Sequence, residues 1–285
     1  PMSPPRRKNG PGHFDGLHVL VDDDPRWKLT PIEQAQAALK FMVERLAPGD
    51  RFNLISYAAG VEVFSAEFLK PTTENITSAH TFIDGLDAPY GLAFVDGTLY
   101  VANQDNLVSF EYTDGATSIE GPGTELTKLP AVINHHWTKA MTASPDGSKL
   151  YVGIGSNSNV GERGMDVEEA RAVIWEIDRE TGANRIFASG IRNPTALSIN
   201  PWTEQLWAVV NERDELGPQL VPDYLTSVRQ GAFYGWPYSY YGQTIDPRIK
   251  PARPDLVRTA IVPDYALGAH VAALGLDFTT EGGLG

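Results

Sequence analysis

Residues 134–159 read NHHWTKAMTASPDGSKLYVGIGSNSN, and this segment predicts the fold class of the chain. His135 and His136 precede an apolar run, and the turn Pro145–Gly147 separates that run from a second one. Two strands joined by a tight turn are typical of the inner part of a β-propeller blade. We therefore expect His136 at the mouth of a blade, where it meets the segment Gly190–Pro194 (GIRNP) in one pocket.

The strand core of this segment recurs along the chain, which indicates repeated blades. The related runs are GTLYVAN, SKLYVGI and EQLWAVV, and their aromatic residues Tyr100, Tyr151 and Trp207 lie 51 and 56 residues apart. A propeller blade takes about 40–50 residues. Residues 87–285 are therefore expected to be mainly β and to form about four blades of an incomplete propeller.

The residues before this region follow a different pattern. Residues 1–16 are rich in Pro and Gly and are interpreted as a linker, whereas residues 17–86 alternate strand-like and helix-like runs. Strands are predicted at Leu17–Val21, Phe52–Tyr57 and Val61–Phe64. Helices are predicted from Thr30–Pro31, where a capping box begins, and over about Thr73–Ile83. The N-terminal part is therefore expected to be a small α/β segment.

Composition excludes several functions. The chain has 285 residues, a net charge of −13 and no cysteine. Such an acidic chain is not expected to bind nucleic acid or anionic membranes. Without cysteine there are no disulfides or thiolate metal sites, and no apolar run approaches the length of a membrane span. The chain does not begin with Met and ends in GGLG, so an excerpt of a longer protein is expected.

Residues 17–86 resemble a von Willebrand factor A domain that has been cut short. The matching pieces are HVLVD, PIEQAQAALKFMVERL and APGDRFNLISYAAGVEVF. In that family an Asp-x-Ser-x-Ser loop binds a divalent cation. Here Asp22 matches, Asp24 replaces the first serine, and Arg26 replaces the second. Because a guanidinium repels a metal ion, no working metal site is expected in this segment.

Residues 87–285 resemble the pyrroloquinoline quinone-dependent sugar dehydrogenases, in the branch of the sorbosone and pyranose dehydrogenases. The resemblance is carried, in order, by APYGLAF, the 134–159 segment with its flank LPAVI, ASGIRNPTALSINPWTEQLW, VNERDELGPQLVPDYLTSV and GAFYGWPY. It implies a six-bladed propeller that binds the quinone over a calcium ion. It therefore also implies an enzyme with two cofactors, pyrroloquinoline quinone and calcium.

The same resemblance assigns roles to individual residues. His136 matches the catalytic histidine that takes a proton from the sugar hydroxyl. Arg192 and Asn193 match residues that hold the quinone, and Asn157 stands where the family has a polar side chain at the cofactor edge. The loop 212–215 matches the calcium loop, so backbone carbonyls near Arg213 and Asp214 are the implied metal ligands.

Each assignment has a structural alternative. His136 could serve only the fold, and His135 is interpreted as a bystander. Arg192 could pair with an acid between blades, and the loop 212–215 could be a solvated acidic turn. The aromatic run Phe233–Tyr238 is more consistent with propeller packing than with sugar contact. The chain also departs from the family at Lys139, where relatives often have arginine.

The leading hypothesis is a quinone-dependent dehydrogenase that oxidises a sugar or aldose-type alcohol. Its expected partners are a small sugar and an electron acceptor, either a protein or a quinone, and its expected location is periplasmic or extracellular. Two alternatives stay open. One is a non-catalytic propeller that binds carbohydrate or protein beside a degenerate A domain, and the other is a calcium-dependent lactonase.

Overall fold

The N-terminal part of the computed structural model combines two helices and a hairpin. The structure describes residues 31–57, 61–65, 67–84, 90–112 and 123–278. Helices α1 (Pro31–Glu44) and α2 (Thr73–Asp84) flank the antiparallel strands β1 (Ile55–Tyr57) and β2 (Val61–Val63). Both predicted helices and the predicted strand pair are thus confirmed.

A small apolar cluster holds this part together. Its buried members are packed against one another: Val43 from α1, Ala79 from α2, and Phe52 from the segment between α1 and β1. The linker at residues 1–16, the strand Leu17–Val21, the loop Asp22–Arg26 and the junction near Leu86 lie outside the described residues. The resemblance to an A domain therefore stays a prediction.

The first blade is a four-stranded antiparallel sheet in the order of the chain. Its strands are β3 (Gly91–Val95), β4 (Thr98–Ala102), β5 (Asn106–Glu111) and β6 (Thr124–Lys128). Strand β4 is the first repeated strand core, and it pairs antiparallel with both of its neighbours, β3 and β5, as in a meander.

The second blade contains the 134–159 segment and has the same topology. Its strands are β7 (Met141–Ala143), β8 (Lys149–Ile154), β9 (Val173–Asp178) and β10 (Asn184–Ser189). The predicted hairpin is the β7–β8 pair. Both the loop before β7 and the loop after β8 lie at one end of this blade, which is where the candidate site forms.

The third blade consists of β11 (Pro194–Ile199), β12 (Leu206–Val210), β13 (Pro222–Ser227) and β16 (Tyr265–Ala269). Its second strand carries Trp207, just as β4 carries Tyr100 and β8 carries Tyr151. The three repeated strand cores are therefore the second strands of three successive blades, as expected of a repeat.

An insertion between β13 and β16 explains why the blade count differs from the expected four. It contains β14 (Ser239–Tyr240), β15 (Thr244–Ile245) and the short helix α3 (Pro254–Val257). The expected number of about four blades came from the whole length of residues 87–285, which includes this insertion. In the described residues it instead decorates the third blade, so three four-stranded sheets are present where about four were expected.

The blades pack through their first strands and bury two apolar clusters. Strand β3 contacts β7, and β7 and β8 contact β11. One cluster, with Leu107 and Leu150, joins the first and second blades, and another, with Ile174 and Tyr224, joins the second and third. No helix in the described ranges is long and apolar enough to cross a membrane.

Candidate active site

A cavity of about 300 Å³ lies between the second and third blades. Loops from both blades line it, together with the segment that follows β16. The lining residues are His136, Arg192, Asn193, Asn211, Glu212, Asp214, Asp223, His270 and Ala272. The structure therefore brings together His136, Arg192, Asn193 and Asp214, four of the six residues predicted from the sequence.

His136 is held in one tautomer by the loop that follows β8. Its Nδ1 lies 2.8 Å from the carbonyl oxygen of Ser156 and 3.0 Å from the hydroxyl of the same residue. Because a carbonyl only accepts hydrogen bonds, Nδ1 carries the proton. Nε2 has no hydrogen-bond partner among the described residues, so its lone pair is available.

The surroundings of His136 keep the imidazole neutral. Burial, and after it the charge of Arg192 and the neighbouring His135, lower the pKa of His136 to about 2. A neutral ring with a free lone pair can accept a proton from a ligand. His135 is exposed and packs edge-on against the His136 ring, with centroids 4.7 Å apart.

Arg192 is buried at the floor of the cavity and binds two loops. Its Nε donates to the carbonyl of Asn159 at 3.0 Å, and one terminal nitrogen donates to the carbonyls of Asn211 and Glu212 at 3.1 and 2.8 Å. The other terminal nitrogen donates to Asn159 Oδ1 at 3.0 Å and lies 3.7 Å from Asp214 Oδ2. Burial lowers the pKa of Arg192. Most of its contacts are to backbone oxygens, so pairing with an acid, the alternative to a cofactor role, accounts for only a minor part of them.

Close packing around Gly155 sets the distance between the loop after β8, the loop before β7 and Asn193. A side chain at Gly155 would collide with the Cβ of His136 and with Asn193 Oδ1, so a residue without a side chain is needed there. Ser156 N donates to the carbonyl of Arg192 at 2.8 Å. His136, Ser156 and Arg192 are thus connected through one short backbone link.

The third blade contributes two buried acids. Asp223 accepts from the backbone N–H of Glu212 at 2.8 Å and from that of Ala272 at 2.7 Å. Burial raises the pKa of Glu212 to about 7, and the charge of Arg192 opposes that rise. Glu212 Oε1 is buried and has no hydrogen-bond partner within the described part of the chain.

Asp214 and His270 form the exposed rim of the cavity. The His270 ring lies 3.1 Å from Asp214 Oδ1 through Nδ1 and 3.2 Å from the carbonyl of Gly217 through Nε2. The hydrogen bond to Gly217, followed by the charge of Asp214, raises the pKa of His270. Sequence reasoning missed His270 because it follows β16, far along the chain from the loop it contacts.

Arg213 occupies a different environment from its neighbour Asp214. Its side chain is fully buried, and Nε lies 3.1 Å from Asp246 Oδ2. Within the described ranges, no group of three or more His, Asp and Glu side chains could hold a metal ion. A metal at this loop would therefore depend on backbone carbonyls, which is how Arg213 and Asp214 were predicted to act.

Asn157 does not line the cavity that contains His136 and Arg192. Its amide nitrogen donates to the carbonyls of Val132 and Val167 at 3.0 and 2.8 Å, and its oxygen accepts from His135 N at 3.2 Å. It lines a second cavity, also of about 300 Å³. Its contacts join two loops, which is a structural task that differs from the predicted cofactor contact.

Two residues that shape the site were not predicted from the sequence. Asn159 accepts from Arg192 and, through the same oxygen, from Asp214 N at 2.9 Å. Arg171 donates to the carbonyls of Gly155 and His136 at 2.8 and 3.0 Å. The polar run at the end of the 134–159 segment was the available signal for Asn159, whereas Arg171 lies in a stretch without a recognisable pattern.

The aromatic run at Phe233–Tyr238 packs inside the fold, as interpreted from the sequence. Tyr234 and Trp236 are buried. Trp236 Nε1 donates to the carbonyl of Asn159 at 3.0 Å. The run thus supports the residue that orients Arg192.

Residues 49–239 match the family described as TrAA12-like. The match includes β1, β2 and α2, so it begins before the boundary predicted near residue 86. A structure of the Trichoderma reesei carbohydrate-active enzyme family AA12 has a TM-score of 0.57 at 18% identity, with 67% of this chain and 58% of that chain covered. The pyranose dehydrogenase quinone domain of Coprinopsis cinerea, in its holo form, has a TM-score of 0.52 at 16% identity, with 66% and 56% covered. These similarities show the propeller fold.

Two curated proteins are similar in sequence. An uncharacterised protein of Borreliella burgdorferi is 25% identical over 210 residues, with 70% of this chain and 54% of that protein covered. An aldose sugar dehydrogenase of Escherichia coli is 37% identical over 65 residues, with 22% of this chain and 16% of that protein covered. The chain spans about half the length of the first relative and a smaller part of the second.

Proposed function

Because the chain belongs to the TrAA12-like family, we propose that it oxidises a sugar or aldose-type alcohol with pyrroloquinoline quinone and calcium as cofactors. One observation carries the proposal: a neutral histidine with an available Nε2 and a buried guanidinium line the same cavity. Oxidation of an alcohol removes a proton from its hydroxyl and a hydride from its carbon, which calls for a proton acceptor and a fixed positive charge near the developing negative charge.

His136 is proposed as the base that takes the proton of the sugar hydroxyl. Ser156 holds Nδ1–H, so the proton would arrive at Nε2. The charge of Arg192 makes a second positive charge unfavourable there. An anionic ligand next to Arg192 would offset that charge and raise the pKa of His136, so base strength would be greatest when the ligand is in place.

Arg192 and Asn193 are proposed to hold the quinone, which bears carboxylates. The fit rests on the buried cation at the cavity floor, since such a charge stabilises an anionic group far better than one in water. When bound, the quinone would supply the redox chemistry by accepting the hydride that leaves the sugar carbon. The protein orients it and provides the base, and the electrons then pass to a protein or quinone acceptor.

Calcium is proposed to bind at the loop 212–215. The carbonyl oxygens of Arg213 and Asp214 accept no hydrogen bond from the described residues, and hard oxygen donors are what calcium prefers. Asp246 draws the Arg213 guanidinium away. Glu212 and Asp223 place acidic groups in the same cavity, so the donor set fits a divalent cation.

The proposal is tested by reconstitution of the full chain with the quinone and calcium, followed by dye reduction with a panel of sugars. Replacing His136 with Ala should lower the rate by about 100-fold or more, because general-base catalysis contributes about 10²–10⁴-fold. His135→Ala is the matched control and should keep most of the rate. No sugar-dependent rate in the wild type, or equal rates for both variants, would reject the proposal, and lactone hydrolysis without dye reduction would favour the lactonase.

A further inference from the structure

Lys139 is a buried cation that the proposed reaction does not use. It is fully buried two residues before β7, and its Nζ donates to Asn134 Oδ1 at 2.9 Å and to the carbonyl of Trp137 at 2.8 Å. Both partners are neutral oxygens. A buried charge held in this way costs free energy relative to an apolar side chain of the same size.

A second buried cation binds the same oxygen. One terminal nitrogen of Arg171 donates to Asn134 Oδ1 at 3.1 Å and to the carbonyl of His136 at 3.0 Å. Burial, together with the charge of Arg171, lowers the pKa of Lys139 to about 7. Two cations that share one amide oxygen repel each other, and departures of this kind from good packing are found mostly at functional sites.

The shared oxygen belongs to a residue in an unfavourable backbone conformation. Asn134 has a φ of 50°, and the preceding Ile133 has a φ of 66°. The left-handed region is tolerated by Asn but is costly for a β-branched residue. The loop therefore needs side-chain contacts to keep this conformation, and His136 follows only two residues later.

This inference rests on the proposed role of His136. We propose that Lys139 is a positioning residue, which acts with Arg171 to hold Asn134 and thereby keeps the His136 ring bonded to Ser156. Arg171 fixes the backbone of His136 directly, whereas Lys139 fixes the turn that leads into it. The device places the base without contacting any reacting atom.

Three variants and a control separate this role from a general effect on folding. Lys139→Met removes both donors while filling the space, and it should fold because it also removes an unpaired buried charge. Asn134→Gly removes the shared oxygen but tolerates the positive φ. Asn134→Asp retains an acceptor for both cations. Lys149→Met is the matched control, since Lys149 pairs with Asp178 at the far end of β8.

The first readout is the state of the His136 imidazole, followed by ¹⁵N NMR on the full chain without cofactors and assigned with a His136→Gln variant. The wild type, Asn134→Asp and Lys149→Met should show a single neutral tautomer, protonated at Nδ1, from about pH 5 to 8. Lys139→Met and Asn134→Gly should show mixed tautomers and a ring that titrates within this range. Retention of the single tautomer in both folded variants would overturn the proposal.

The second readout is dye reduction by the reconstituted protein. Lys139→Met and Asn134→Gly should lower kcat by about 10- to 100-fold, the cost of a base displaced by about 1 Å. The quinone concentration for half-maximal rate should change less than twofold, since Arg192 is untouched. Equal loss in Lys149→Met would count against a positioning role. A wild type without turnover would reject the proposed function, and the NMR readout would still decide on Lys139.

Discussion

The two blades that meet at the cavity stabilise their buried charges in the same way but with opposite sign. The second blade buries the cations Lys139 and Arg171 and bonds them mostly to carbonyl oxygens. The third blade buries Glu212 and Asp223, and their carboxylates accept from backbone N–H groups. In both cases the backbone takes the place of water around the charge, and the loops are fixed as a result.

Arg192 is where these two arrangements meet. It belongs to the loop between the blades, yet its donors bind the carbonyls of Asn159 on one side and of Asn211 and Glu212 on the other. A ligand in the cavity therefore lies between Arg192, the buried cation that lines it, and an acidic wall formed by Glu212 and Asp223. The arrangement suits a ligand pair of opposite charge, such as an anionic quinone with a divalent cation.

The largest expected effect tests whether the buried cation Arg171 holds the loops of the second blade. Arg171→Met leaves the carbonyls of Gly155, Pro130 and His136 without a donor. Each buried group that loses its partner costs about 1–3 kcal/mol, so the loss of three partners should lower the free energy of unfolding by at least about 3 kcal/mol. Urea denaturation measures this change.

The matched control for that prediction is Arg185→Met. Arg185, whose side chain is exposed, forms an ion pair with Glu176 at 2.8 Å in the same blade. Solvent screens the charge of Arg185, so Arg185→Met should lower the free energy of unfolding several times less than Arg171→Met. Similar losses of unfolding free energy in the two variants would mean that the backbone contacts of Arg171 do not stabilise the loops of the second blade.

The second prediction concerns Arg192, the buried cation that lines the cavity. Arg192→Met should weaken binding of the quinone by about 10- to 100-fold, because it removes the buried positive charge that offsets the quinone carboxylates, an interaction of about 1.5–3 kcal/mol. Fluorescence titration of the folded variant measures the affinity. Arg163, whose side chain is exposed, is the control, and Arg163→Met should bind the quinone as the wild type does.

Local patterns made much of this fold predictable. In the turn at Pro145–Gly147, Asp146 Oδ1 accepts from the hydroxyl of Ser144 and from Ser148 N. These contacts involve only near neighbours, so the residue types alone predict the turn. The repeated aromatic residues predicted the second strand of each blade for the same reason, since a strand core is a local property of the sequence.

The candidate site was predicted only where a local motif carries it. His136, Arg192 and Asn193 come together as expected, because each stands beside a strand end. The direction of the Asn157 amide depends on Val132 and Val167, whose loops meet only in the folded chain. The insertion between β13 and β16 was missed because its length resembles that of a blade. Contacts between distant segments decide both features, and residue spacing does not record them.

The third prediction tests the acidic wall through its pH dependence. The pKa of Glu212 is raised to about 7 by burial, so the folded state retains a proton that the unfolded state has lost. Stability should therefore fall as pH rises from about 4.5 to 7, with a slope of at most about 1.4 kcal/mol per pH unit. Glu212→Gln should remove that fall.

Urea denaturation at several pH values from 4.5 to 8 checks the slope. The two proteins differ only at residue 212, so the difference between their slopes reports on Glu212. The control is Glu215→Gln, which makes the same substitution and removes the same charge at an exposed position. A slope that survives in Glu212→Gln would place its origin outside the cavity.

The smallest effect is expected at the rim, where water screens the charges. The hydrogen bond to Gly217 and the charge of Asp214 raise the pKa of His270, so its contribution to stability is present below about pH 6.5 and is lost as pH rises through the raised pKa. Because both side chains are largely exposed, His270→Gln should change stability by only a few tenths of a kcal/mol. Comparing unfolding at pH 5.5 and 8.5 measures it. A change as large as that for Glu212 would show that the rim is as dehydrated as the wall beneath it, and the contrast between buried and exposed parts of the acidic side would then fail.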